Sequence, residues 1–255
     1  LAQWWSGQDP IADCTAAIAA CRQAVALDPE RSLAWIGQGD ALLLRAQFRA
    51  ARGEDAGTDR QEAEAAFARA LELVPDDPVA WMRRGDAWHA QASAGLLRGE
   101  RGEEECRKAE SDYLHGLERA PGNAEGWAML ATVRRWLARA VSARGGDPRE
   151  DYGRGIEAAD RALACDPAQG IAWFERGLAR SELASWQAAR GADPQETWAA
   201  ALADFGRAAE EMRQGWVAVG AGGMVYMNRA VYLIQRGREG AADLEAAVGA
   251  YGRVL

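Results

Sequence analysis

The chain has 255 residues, 49% apolar and 27% charged, a globular composition that excludes a disordered polypeptide. A net charge of −8 argues against a phosphate-rich partner, because nucleic-acid affinity draws on Lys and Arg that neutralise phosphates. Such an acidic surface keeps a protein soluble, or it selects a basic peptide.

In chain order, residues 1–6 match the last turns of a helix whose start is missing, and Gly7 suits its left-handed C-cap. Asp9-Pro10 then opens a helix, with aspartate as N-cap and proline at the first helical position. Pro29 ends that helix, and Trp35 lies early in the next, which is expected to run from about Leu33 to Arg52. Over residues 58–75, Ala63, Ala66, Phe67, Ala70, Leu71 and Val74 form one stripe, with Arg60, Glu64, Arg69 and Glu72 opposite. Pro75 closes this helix, and another begins near Val79, carries Trp81, Gly85 and Trp88, and stops at Gly99.

These landmarks recur at a fixed step of 46 residues: Trp35, Trp81, Trp127 and Trp173; Pro29, Pro75, Pro121 and Pro167; Gly7, Gly53, Gly99, Gly145 and Gly191. Asp-Pro recurs at Asp147-Pro148 and Asp193-Pro194. One unit therefore reads as helix, Gly-x-Asp-Pro loop, helix, proline turn. Units that cannot bury their own apolar face must stack, so the step predicts an all-α, right-handed α-solenoid of antiparallel helix pairs. It spans 1–255 as a single domain of about five pairs. The four indoles are expected as core wedges between helices.

The fifth unit departs from the pattern. Arg213 replaces the proline and Val219 the tryptophan. The glycine-rich stretch 215–223 reads as a lengthened turn, or as a functional loop, before a helix resuming over 225–235 with Tyr226 in the tryptophan's place. Residues 239–255 read as the first half of a further unit, so the chain is expected to be part of a longer protein.

The pattern W-x2-L-G-x2-Y, then A-x3-F, then P resembles the tetratricopeptide repeat. Trp81, Gly85 and Trp88 match its first helix, and Ala63, Phe67, Ala70 and Pro75 its second. Ala109/Tyr113, Ala201/Phe205 and Ala247/Tyr251 repeat the alanine–aromatic element, which is degraded at Ala17/Cys21 and Gly155/Ala159. Trp173 and Gly177 repeat the first-helix pair, whereas Trp127 is followed by Ala131. The family unit is 34 residues, and the extra 12 lie between the two helices, lengthening the first. The family leucine is replaced by Gln38, Arg84 and Arg176, so a partly wet seam is expected there.

The resemblance implies a non-catalytic scaffold that binds a protein or peptide in a concave groove. Residue by residue, it implies a groove lined by Met82, Arg83, Asp86 and His89, by Met129, Thr132 and Arg135, and by Phe174 and Glu175. With Tyr226 as anchor, Asn228 joins them. Units with Arg-Gly-x-Ala, as at Arg84-Gly85-Asp86-Ala87, are also similar to repeat regions of bacterial signalling proteins, including serine/threonine kinases. The alternative reading is architectural: self-association as a homo-oligomer, or a regulatory region beside a catalytic domain.

No catalytic, cofactor or metal motif is present. Only His89 and His115 supply imidazole, and no Walker loop, G-x-S-x-G or kinase signature occurs. Cys14, Cys21, Cys106 and Cys165 lack metal spacing and read as reduced packing residues of a cytoplasmic protein. No membrane span is expected.

Overall fold

The computed structural model describes residues 10–97 and 102–254. Gly7, Asp9 and Gly99 lie outside the described residues, as do residues 1–6. Every regular element among the described residues is an α-helix, and there are eleven. They fall into two compact units divided between Pro121 and Gly122.

The first unit holds α1 (Pro10–Leu27), α2 (Ser32–Ala51), α3 (Gly57–Leu73), α4 (Pro78–Leu97) and α5 (Glu103–Arg119). The second holds α6 (Ala124–Ala143), α7 (Arg149–Cys165), α8 (Gly170–Ala189), α9 (Gln195–Glu211), α10 (Gly215–Gln235) and α11 (Ala241–Gly252). Sequential helices pack as neighbours within each unit. The tryptophan-bearing helices also touch one another, α2 on α4 and α6 on α8, and α8 meets α10. At 20 residues, each of α2, α4, α6 and α8 is about 30 Å long, as the lengthened repeat predicts.

The ends of these helices follow from their residues. Gly53, Gly145, Gly191 and Gly237 have φ of 74°, 79°, 82° and 68°, the left-handed region that a Cβ makes costly. Each sits in a Schellman turn. In the first, Glu54 N donates to Arg49 O and Gly53 N to Ala50 O, which satisfies carbonyls the helix leaves open. In the loops that follow, Asp55, Asp147 and Asp193 use Oδ1 to accept the backbone N–H two residues on.

The tryptophans and prolines share their step because they are bonded. Indole Nε1 donates to the proline carbonyl six residues earlier, for Trp35 to Pro29 at 3.0 Å, Trp81 to Pro75 at 2.7 Å and Trp173 to Pro167 at 2.9 Å. These three indoles are half-buried, not fully enclosed wedges. Trp127 alone of the four is buried.

Trp81, Trp127 and Trp173 also carry cations. Arg84 lies 4.7 Å over Trp81, whose other partner is the stacked ring of His115. Arg161 lies 4.8 Å over Trp127, and Arg176 lies 4.5 Å over Trp173.

At the seam of the replaced leucine the arginines are partly exposed and each holds a buried carboxylate. Arg84 grips the buried Asp112 with Nε and Nη2 at 2.7 and 2.8 Å, and Arg176 grips Asp204 in the same way. The arginine and aspartate occupy corresponding positions of a seam that elsewhere reads Gln38/Ala66, Leu130/Ala158 and Gly222/Ala250. A second exchange runs beside it. Phe205 packs so close to Gly177 that a Cβ there would lie 2.9 Å from the ring, and Phe67 and Tyr113 press on Gly39 and Gly85 likewise. In α6 and α7 the pair becomes Ala131 and Ala159, both buried. Losing the aromatic ring makes room for the extra methyl.

The fifth unit corrects the sequence reading. No lengthened turn is present: residues 215–235 are one continuous helix, α10. Val219 therefore stands at the tryptophan position and Gly223 at that of Gly177, so the step of 46 holds. Tyr226 is not the anchor. Glycine costs about 1 kcal/mol in a helix, but a Cβ at Gly223 would sit 3.2 Å from Ala250 and Tyr251 of α11. Close packing on the partner helix outweighs propensity here. With one charged residue, Arg229, α10 is long and apolar enough to cross a membrane, contrary to expectation. Its buried face, Ala218, Gly222, Gly223, Val225 and Ala230, belongs to the side that packs on α9 and α11.

Candidate interaction surface

The expected groove residues meet different fates. In the first unit, Met82 is buried, its Cγ only 2.8 Å from where a Cβ on Gly116 would stand, so it is a core residue. Arg83 pairs with Asp40 at 3.4 Å and Asp86 at 3.1 Å, and Asp86 also accepts the Tyr113 hydroxyl at 2.7 Å. Burial raises the pKa of Asp40, with Arg83 opposing. His89 is half-buried on the same helix.

In the second unit, Thr132 is buried and donates to Ala128 O, and Phe174 leans on Phe205 at 5.8 Å in the core. Met129 is half-buried. Arg135 and Glu175 are brought together: Arg135 Nε donates to Glu175 Oε2 at 2.7 Å, and its Nη1 reaches Glu182 Oε1 at 3.1 Å. The Tyr152 hydroxyl donates to the other Glu182 oxygen at 3.2 Å.

Burial pushes the Glu182 carboxyl up, against Arg135, Arg139 and the tyrosine hydroxyl. Burial and the Glu182 charge push Tyr152 up as well. Arg135 is 6% exposed, and the two carboxylates overcome its desolvation and raise its pKa. It is a structural cation, not a surface contact.

Above this network a cleft of about 410 Å³ opens among α6, α8 and α10. Leu178, Trp186 and Met224 give it apolar walls, Ser181 and Asn228 supply hydroxyl and amide, and Glu182 forms its charged floor. Asn228 thus lines the surface, although the anchor that nominated it was wrong. Sequence reasoning missed Glu182, Trp186 and Met224. Met224 was within reach, because it lies 46 residues after Leu178 once Val219 is taken as the anchor.

A chain of helix pairs with an alanine–aromatic contact, a glycine opposite the ring and a closing proline turn is now in view. Several solved structures superpose on it. A thermophilic TPR protein of Thermus thermophilus superposes with a TM-score of 0.56 at 18% identity, covering 85% of this chain and 90% of that one. PilW, described as a widely conserved type IV pilus biogenesis factor, gives 0.55 at 17%, covering 95% and 84%. YrrB, described as a TPR protein with an unusual peptide-binding site, gives 0.52 at 18%, covering 91% and 92%.

The chain has the tetratricopeptide-repeat fold.

No family model matches this TPR-fold chain, and no curated protein sequence does. No cluster of metal-ligating residues occurs among the described residues, and none of the four cysteines is in a disulfide. Burial, with Glu105 and Glu103 nearby, pushes the Cys106 thiol to about 12, which makes it unreactive.

Proposed function

We propose that this protein is a non-catalytic interaction scaffold whose α6–α8–α10 face binds a peptide segment of a protein partner. The observation that carries the reading is the cleft of about 410 Å³, where Leu178, Trp186 and Met224 give apolar surface and Arg139, Glu182, Asn228 and serine hydroxyls give polar contacts, a combination that suits recognition. Exposed methionine suits a surface that adapts to a side chain, and Met224 is 60% exposed at the rim. That YrrB is described as having a peptide-binding site is in keeping with this reading. The same proposal includes continuity of the repeat over 1–255, a cytoplasmic setting, and a bacterial signalling protein as the parent.

Arg135→Glu is a poor probe, because the arginine is buried between two carboxylates. The test is display selection of peptides on the purified protein, followed by titration against Met224→Glu. Enriched peptides that bind wild type and lose at least tenfold with Met224→Glu support the proposal. Failure to enrich any sequence, or indifference to the substitution, refutes it.

A second reading has its own observation. Met224, Met227, Val231 and Ile234 form an exposed apolar stripe along α10, at the helical spacing of a packing face. Self-association through this stripe would be seen as a concentration-dependent dimer in light scattering, abolished by Ile234→Glu.

A further inference from the structure

The residues that lengthen each unit do more than extend helices. Where the last turns of α8 and α10 meet, a second cleft of about 340 Å³ forms. Its α8 wall is made of Ser185, Ala188 and Ala189, side chains too small to fill the seam. One step earlier in sequence, α6 carries Arg139, Ser142 and Ala143 at those positions. There the long Arg139 reaches Glu182 at 3.7 Å. The α10 wall offers Asn228, Val231 and Tyr232, and α9 contributes Trp198.

Trp198 is the decisive residue. It is 1% exposed, and its indole Nε1 is closed to solvent with no hydrogen-bond partner among the described residues. A buried donor left in that state is uncommon and carries an uncompensated desolvation cost. Tyr232 holds the ring edge-on at 5.4 Å, and Arg236 caps Tyr232 at 3.9 Å from the rim. Trp186, in the wall of the first cleft, has an indole Nε1 in the same condition. The two clefts share Ser185 and Asn228, so both indole donors flank one saddle. Among the described residues Arg236 is the one charged group in the lining, and no carboxylate joins it, so the cleft favours an occupant that supplies acceptors, such as a peptide carbonyl, and disfavours a cationic one.

We propose that the cleft between the last turns of α8 and α10 takes one large apolar side chain of a peptide, whose adjoining amide carbonyl accepts the Trp198 indole N–H. The inference rests on the peptide-binding reading above. Its volume is that of a small recognition pocket, and the apolar surface of Val231, Ala188 and Tyr232 accounts for the side chain. The indole has to turn toward the cleft it already lines. Binding then supplies a hydrogen bond that the resting state lacks.

The experiment follows the indole N–H signals of the full chain by nuclear magnetic resonance. The titrants are N-acetyl-phenylalanine amide and N-acetyl-glycine amide, which lacks the side chain. The phenylalanine probe is expected to shift the Trp198 signal saturably in the millimolar range, and the glycine probe to leave it in place. Val231→Arg, at a site 45% exposed and therefore tolerant, should weaken the phenylalanine probe at least tenfold. Trp198→Phe keeps an aromatic ring but removes the donor, and should weaken it about tenfold.

An unmoved Trp198 signal, or unchanged affinity in Val231→Arg, overturns the inference. Probe binding that fails while Met224-dependent peptide capture persists sinks this cleft alone. Capture that fails while the probe binds sinks the peptide reading instead.

Discussion

The helix pairs α6–α7 and α8–α9 occupy the same place in successive repeats and solve the same packing problem with opposite chemistry. In α8–α9 a phenylalanine enters a glycine notch and an arginine clamps a buried aspartate. In α6–α7 the notch is Ala131 against Ala159, and the clamp is Leu130 over Ala158. Each solution is internally matched, so the unit of exchange is the pair and not the residue. A single change borrowed from the other helix pair should therefore damage the fold, whereas two matched changes should not.

The largest effect is expected for Phe205→Ala, which empties the notch and should destabilise by about 4 kcal/mol in urea denaturation. Asp204→Ala should follow at about 3 kcal/mol, because it removes the buried partner of Arg176 and leaves it only the half-exposed Asp160; Arg180, the other arginine on Asp204, keeps 24% of its side chain in solvent. Adding Arg176→Leu should recover most of that loss by converting the seam to the Leu130/Ala158 type. A double variant no more stable than Asp204→Ala would break the comparison.

Smaller again, Gly177→Ala should cost about 2 kcal/mol through overpacking against Phe205. In a Phe205→Ala background the same change should become neutral or stabilising by about 1 kcal/mol, since alanine is the better helix former. Persistence of the penalty in that background would show that the ring is not its cause.

The mildest test uses acid. At Asp59, burial raises the carboxyl pKa, but hydrogen bonds and charge from Arg45, with Arg49, outweigh it and leave the pKa below the usual carboxylate range. The folded state thus binds this proton less tightly than the unfolded one. The stabilisation is complete above the ordinary pKa of about 3.9 and disappears as pH falls through the lower folded value. Asp59→Asn should lower the urea midpoint at neutral pH and flatten its decline as pH falls below about 4. Parallel acid limbs in variant and wild type would exclude the clamp.

Most of the fold was legible because repetition gives each landmark several independent tests. Gly53, Gly145 and Gly191 read correctly as left-handed caps, since few other residues serve there. The helix α10 was misread for a local reason. Gly215 to Gly223 looks like a breaker until Gly223 is compared with Gly177, one repeat earlier.

The interaction surface was far less legible. Whether a long side chain such as Arg135 faces solvent depends on a carboxylate 40 residues away, which helical spacing on one element cannot reveal. Met82 and Thr132 went inward because a small residue opposite, or a backbone carbonyl one turn back, gave them somewhere to go. The Trp198 donor escaped notice because what marks it is a missing bond, and a sequence shows no such thing.

Binding each indole to its own proline carbonyl has a practical corollary. The N–H protons of Trp35, Trp81 and Trp173 are private spectroscopic tags, one for each of three connecting turns. Heating or denaturant would release them one at a time if the modules loosen separately, and together if they melt as a block.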